Sequence, residues 1–178
     1  MLHRKAYQGM MQSAAGQDIL TQVSPSLLSD LGRELIGMGA KVVGLKLGWR
    51  GLYIRSGSSQ SIRALGRGCP SSLEAWAEKE LWSPCFQVKV AGTTGSGDAT
   101  LAGFLSGLLR DEDIETALTS AVAVGACNVE AADALSGIRS WEETERRIQA
   151  GWERQPLELA EPGWGFDQEC GLWRGPCA

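Results

Sequence analysis

Ala91-Gly92-Thr93-Thr94-Gly95-Ser96-Gly97-Asp98-Ala99-Thr100 decides how this chain is read. It follows Cys85-Phe86-Gln87-Val88-Lys89-Val90, whose alternation predicts a strand. It opens a run with Leu101, Phe104, Leu105 and Leu108 at helical spacing. Gly92, Gly95 and Gly97, with Thr93 and Thr94, therefore fall in a turn between a strand and a helix N-terminus. Such a turn collects unpaired backbone N–H groups and the positive end of the helix dipole. It suits an anion, phosphate above all, and the glycines let the main chain approach one with no Cβ in the way.

Asp98 separates this loop from other phosphate loops. A carboxylate that only lined the cradle would repel a bound phosphate. It makes sense if it faces a second substrate and takes a proton from it. The bland alternative is an ordinary acid in the first turn of a helix, stabilising by a few tenths to about 1 kcal/mol. No Gly-Lys-Ser/Thr ends the loop, as a Walker A loop would need, and Thr100 stands where a dinucleotide fingerprint needs its third glycine.

The string Gly92-Thr93-Thr94-Gly95-Ser96-Gly97-Asp98-Ala99, continued by Ala102-Gly103-Phe104, resembles the C-terminal signature of the PfkB (ribokinase-like) carbohydrate kinases. The usual family form is Asp-Thr-Thr-Gly-Ala-Gly-Asp, so Gly92 and Ser96 are departures; the glycines and the final Asp remain. The resemblance implies that Asp98 is the general base that deprotonates a sugar hydroxyl. It implies that Gly95, Ser96 and Gly97 form the anion hole for the transferring phosphoryl group, and that Thr93 lies against the nucleotide. Positioning and charge stabilisation are what phosphoryl transfer demands. The cofactors implied are ATP and Mg2+, with no metal site in the protein's own side chains.

Two further stretches gain weight from this resemblance. Gly44-Leu45-Lys46-Leu47-Gly48-Trp49-Arg50-Gly51-Leu52-Tyr53 looks like the family's strand and turn beside the nucleotide. By itself Gly48-x-x-Gly51 is equally a plain hairpin turn. Lys46 stands where many members have Thr; it is either a point charge on a phosphate or a lysine snorkelling from a strand end. Ala121, Gly125 and Ala126 form a small helix face, open either to close packing or to a flat ligand. The family sets this helix and the following turn, residues 121–137, beside adenine. Asn128 is the polar residue expected to reach the nucleotide, with a surface amide as the alternative.

The rest of the chain sets the frame. Its 178 residues suit one domain with a core of its own. A net charge of −4 without a basic stripe argues against nucleic acid and anionic membranes as partners. No apolar run approaches the roughly 18 residues of a membrane span, and Met1-Leu2-His3-Arg4-Lys5 does not lead into a signal peptide. Five widely spaced cysteines with no C-x-x-C, and a single histidine, speak for reduced thiols in a cytoplasm and against zinc. Cys127 reads as a small core residue.

In order, a short helical pattern ends near Gly16. Ser24-Pro25 caps a helix through Leu27, Leu28, Leu31, Leu35 and Met38. Lys41–Leu47 reads as a buried strand and Leu52–Arg55 as a second, with parallel α/β packing expected. Residues 56–84 read as a long surface excursion with one short helix around 72–79. Asp113 begins the small-faced helix, and Ser140-Trp141-Glu142-Glu143 is a capping box for a last helix to about Ala150.

The expected architecture is α/β: the C-terminal portion of a ribokinase-like three-layer α/β/α sandwich, lacking the N-terminal half and lid. Residues 1–150 would form a partial nucleotide-binding and catalytic domain. Residues 151–178 would be a Trp/Gly/Pro-rich tail pinned by Trp152, Trp164 and Trp173. The resemblance covers roughly residues 20–150 and is strongest at 41–54 and 91–137. It implies ATP-dependent phosphorylation of a sugar or related polyol hydroxyl. The alternative is a non-catalytic nucleotide-binding remnant, or a subunit that self-associates or needs the missing half as partner.

Overall fold

A computed structural model describes Gly9 and residues 18–176. The helical pattern ending near Gly16 lies outside the described residues. The first element with a local explanation is helix α1, Pro25–Gly37. The Ser24 hydroxyl accepts from Leu27 N–H, and Pro25 occupies the first turn, where its missing N–H costs nothing.

Strands β1 (Val42–Lys46), β2 (Leu52–Ser56) and β3 (Glu80–Ser83), with β4 (Gly165–Asp167) and β5 (Leu172–Arg174), make one sheet of order β1-β2-β3-β5-β4. Every pairing is antiparallel, against the parallel packing expected. The reason lies in the connection. Leu47–Gly51 is far too short for the crossover that a parallel pair needs, so it closes a hairpin, Lys46 opposite Leu52. Gly51 takes φ of +97°, and a Cβ there would collide with the Ser83 carbonyl. β1 is also not a buried strand. It pairs on one side only and lies at the sheet edge, with Val43 buried and Gly44 and Lys46 exposed.

Alternate residues of β2 feed two cores. Leu52 and Ile54 join Leu81 against Phe104, Ile114, Leu118 and Val122. Tyr53 joins Trp82, Leu28, Leu47 and Leu159 on the other face. The molecule is thus three-layered: α1 on one face of the sheet, and helices α4 (Ser96–Leu109) and α5 (Ile114–Asn128) on the other. Between them come two short helices, α2 (Ser59–Arg63) and α3 (Leu73–Trp76); α6 (Trp141–Gln149) follows α5 with the expected capping box complete.

Residues 56–84 are no surface excursion. They supply α2, α3 and β3, and both Trp76 and Trp82 are fully buried. The polar letters that disguise β3 are neutralised inside. Glu80 lies opposite Arg55 in the register and pairs with it at 2.7 Å; Tyr53 Oη donates to the same carboxylate at 2.8 Å, and Ser29 Oγ donates as well. A buried ion pair survives only with such partners.

Residues 85–90 are not a strand. The places beside β3 are taken by β2 and β5, so only Phe86 bridges, to Arg154. The tail is woven into the sheet through β5, which pairs with β3. Its aromatic residues also hold it down: Trp152 stacks on Phe86 at 4.5 Å, Arg147 lies over Trp152 at 3.6 Å, and Arg154 over Phe86 at 4.3 Å. Trp164 packs against Tyr53 and Trp82.

Candidate active site

Gly95 is the N-cap of helix α4; its φ of +77° is left-handed and its missing side chain lets Ala134 approach. No side chain caps this end. The N–H groups of Gly95 and Gly97 have no partner among the described residues, while Ser96 N–H turns to the Thr93 carbonyl at 3.3 Å. These are the free donors expected of an anion cradle.

The turn that follows α5 props the loop from behind. The Val129 carbonyl accepts from Ala91 N–H at 2.8 Å and from Gly92 N–H at 3.3 Å. A Cβ on Gly92 would stand 2.7 Å from the Ala132 carbonyl oxygen, so an Asp at this position would not fit the present packing. Asn128 is wholly buried and does not line the cavity; its amide donates to the Ala134 carbonyl at 2.7 Å. It is therefore neither at the surface nor at the cavity. It holds the turn on which Gly95 rests.

A cavity of about 310 Å³ opens beside the cradle. It brings together Lys46, Gly48, Gly51, Thr93, Ser96 and Gly97, from elements far apart in the chain. Phe86, Val88, Val122, Gly125, Ala126 and Val129 make its apolar walls. Lys46 is exposed, and its ammonium lies directly over Gly97, where a Cβ would collide with it. No acid pairs with Lys46 among the described residues.

The other polar wall groups divide sharply. Ser96 Oγ donates to the Thr93 carbonyl at 2.9 Å and Thr100 Oγ1 to the Ser96 carbonyl at 2.8 Å. Cys85 Sγ donates to the Gly48 carbonyl at 3.3 Å, and burial pushes its thiol up to about 11, so it stays neutral. Trp49 Nε1 donates to Asp18 at 2.5 Å. Only Lys46, Thr93 and Gln155 present polar side-chain atoms that are unengaged among the described residues.

The small face of α5 serves both uses weighed from sequence. Ala121 is spent on packing, since a Cβ on Gly103 of α4 would lie 3.0 Å from its Cα. Gly125 and Ala126 line the cavity. Asp98 lies outside that cavity, exposed on the first turn of α4. Its carboxylate caps nothing and has no ion pair or hydrogen bond among the described residues.

Sequence reading missed Gln155, whose N–H donates to the Cys85 carbonyl at 2.7 Å. Nothing local marks it, because its place is fixed by a segment distant in sequence.

The three-layer α/β arrangement is that of the ribokinase-like fold, as its similarity to solved structures shows. The family model described as pfkB family carbohydrate kinase matches residues 13–141, and the chain belongs to that family. It is 35% identical over 80 residues to an uncharacterized sugar kinase of Archaeoglobus fulgidus, covering 45% of this chain and 24% of that one. Among solved structures it is similar to a putative sugar kinase from Clostridium perfringens, with TM-score 0.55, 17% identity, and coverage of 77% of this chain and 37% of that one. A ribokinase from Thermotoga maritima gives TM-score 0.51 at 22% identity, with 67% and 34% covered. Phosphofructokinase-2 from Escherichia coli gives 0.53 at 18%, with 72% and 35% covered. The chain thus spans about a third of the length of those structures. Among the described residues no helix is long and apolar enough to cross a membrane.

Proposed function

We propose that this chain carries the nucleotide-binding and proton-accepting part of a carbohydrate kinase that phosphorylates a hydroxyl of a sugar or related polyol. The observation that carries the reading is the Lys46 ammonium held over Gly97, beside free N–H donors and an apolar cavity. A cation without an acid partner at a helix N-terminus fits phosphate by charge and by direction. A Cβ-free cradle and flat apolar walls fit a nucleotide.

ATP, when bound, supplies the phosphoryl group, and Mg2+ arrives on the nucleotide's own phosphates, as is usual for that ion. Gly95 and Gly97 N–H and Lys46 neutralise charge on the transferring group. Gly125, Ala126 and Val129 shelter the base. Asp98 accepts the proton as the sugar oxygen bonds to phosphorus and the bond to the leaving ADP oxygen breaks. Free ATP, Mg2+ and reduced thiols fit a cytoplasmic setting.

One observation favours a second reading, a nucleotide-binding subunit without turnover of its own. Asp98 is exposed and makes no hydrogen bond or ion pair among the described residues, and positioning an alcohol is worth about 7–11 kcal/mol of barrier. The test is ADP release by the full chain with a panel of sugars and polyols, beside calorimetric titration of ADP. Asp98→Asn is expected to lower kcat by about 10²–10⁴ and leave ADP affinity nearly unchanged. ADP binding with no turnover on any acceptor would select the second reading. No nucleotide binding at millimolar concentration would sink both.

A further inference from the structure

We propose that Gln155 is the specificity-determining residue that reads the purine edge of the nucleotide. The inference rests on the nucleotide reading above and adds to it a residue on the far C-terminal segment. Three polar side chains of the cavity are unengaged among the described residues, and they differ in kind. Lys46, beside Gly97, and Thr93 belong to the cradle and suit phosphate oxygens. Gln155 comes instead from the C-terminal segment, fixed by the bond from its N–H to the Cys85 carbonyl.

The chemistry of the cavity decides what Gln155 can recognise. Phe86 and Val88, from the segment to which Gln155 bonds, and Val122, Ala126 and Val129, from α5 and its end, give the cavity its apolar surface. Gly125 lets α4 close against α5 at this wall, because a Cβ there would collide with Thr100. An aromatic ring fits between such walls. A ring lying there still needs partners for its polar edge, because a buried unpaired group costs about 1–3 kcal/mol. Gln155 is the carboxamide of the lining, and it presents one donor and one acceptor side by side. Adenine presents the complement, an amino donor next to a ring-nitrogen acceptor.

The position of Gln155 is well determined for such a role. Arg154, its neighbour, is locked by bonds to Ser83 Oγ at 2.7 Å, the Pro84 carbonyl at 3.0 Å and Thr119 Oγ1 at 3.1 Å. The main chain at 154–155 is therefore anchored, while the Gln155 side chain makes no hydrogen bond among the described residues.

The test compares ADP with purine riboside 5′-diphosphate, which lacks the amino group, by calorimetric titration of the full chain. Pyrophosphate serves as a probe of the cradle alone. In the wild type ADP is expected to bind about tenfold tighter than the purine riboside diphosphate. In Gln155→Leu that ratio should fall to near one, with pyrophosphate affinity unchanged. An unaltered ratio in the variant would overturn the proposal, as would a pyrophosphate affinity that falls in step with ADP. Absence of ADP binding by the wild type would instead remove the nucleotide reading itself, and this inference with it.

Discussion

Replacing Gly97 by Ala should separate stability from binding, with opposite signs. Gly97 is the second residue of α4, and its φ is not left-handed. Ala is the better helix former there, so folding should gain up to about 0.5–1 kcal/mol. For a chain of this size that is a Tm rise of roughly 2–4 °C per kcal/mol. The atoms nearest the new methyl are those of the far end of Lys46, a flexible side chain that can swing aside. Swinging aside is what damages the site. Moving an ammonium from about 4 to about 7 Å from a phosphate charge costs roughly 1.8 kcal/mol at an effective dielectric of about 20. That corresponds to about twentyfold in Kd. The methyl also narrows the cradle itself. Thermal denaturation and calorimetric ADP titration on the same samples read both signs, with Lys46→Met as a control that should lose affinity without gaining stability. A Gly97→Ala chain that binds ADP as the wild type does, or that loses several degrees of Tm, would refute the argument.

At Gly107 the same substitution class has the other sign. A Cβ there would stand 2.8 Å from Ala117 Cα, so Gly107→Val should push α4 off α5 and cost about 1–3 kcal/mol, read as a lower Tm. Arg147 grips Glu130 through two hydrogen bonds, of 2.6 and 2.7 Å, and these hold the Glu130 carboxyl below its ordinary range. Its folded pKa is depressed, so the stabilisation is present above the unfolded pKa of about 4.3 and is lost as pH falls through the folded value. Partial exposure limits it to a few tenths to about 1 kcal/mol. The Tm gap between wild type and Glu130→Gln should therefore shrink below about pH 4; a gap constant from pH 7 to pH 3 would contradict this. Leu101, Leu105 and Leu109 are 53%, 46% and 75% exposed along one side of α4, and β1 pairs on one edge only. Light scattering should show concentration-dependent self-association that Leu105→Lys reduces, and a monomer at all concentrations would count against it.

The glycine turn at the start of α4 was legible in the sequence because its conformation is local. Gly95, Ser96, Gly97 and Asp98 sit where a helix begins, and the glycines and the run Leu101–Leu108 announce that start without help from elsewhere. The caps at Ser24 and Ser140 were legible for the same reason: a hydroxyl meets an N–H three residues on. The direction of the sheet was not. A helix followed by an apolar strand suggested parallel packing, and the length of the Leu47–Gly51 connection forced a hairpin. Residues 56–84 looked like a loop because they are rich in Ser, Gly and Pro and set Trp76 and Trp82 among polar neighbours, Glu80 among them. Only the partners that tertiary structure brings, Arg55, Tyr53 and Ser29, make that carboxylate a core residue.

The sequence by itself determined the glycine turn at a helix start, the helix that follows it and the family. Tertiary structure decided what surrounds the cradle. It laid Lys46 over Gly97, sent Asn128 inward to hold the Ala134 turn, and divided the small face of α5 between α4 and the cavity. It also carried Gln155 from the C-terminal segment to the cavity wall. The physical reason is the range of the interactions. Dipoles, caps and glycine conformations act within a few residues and leave their mark on neighbouring letters. A side chain's final neighbours depend on which strand edge is free and which helix face is small, and no stretch of adjacent residues records that.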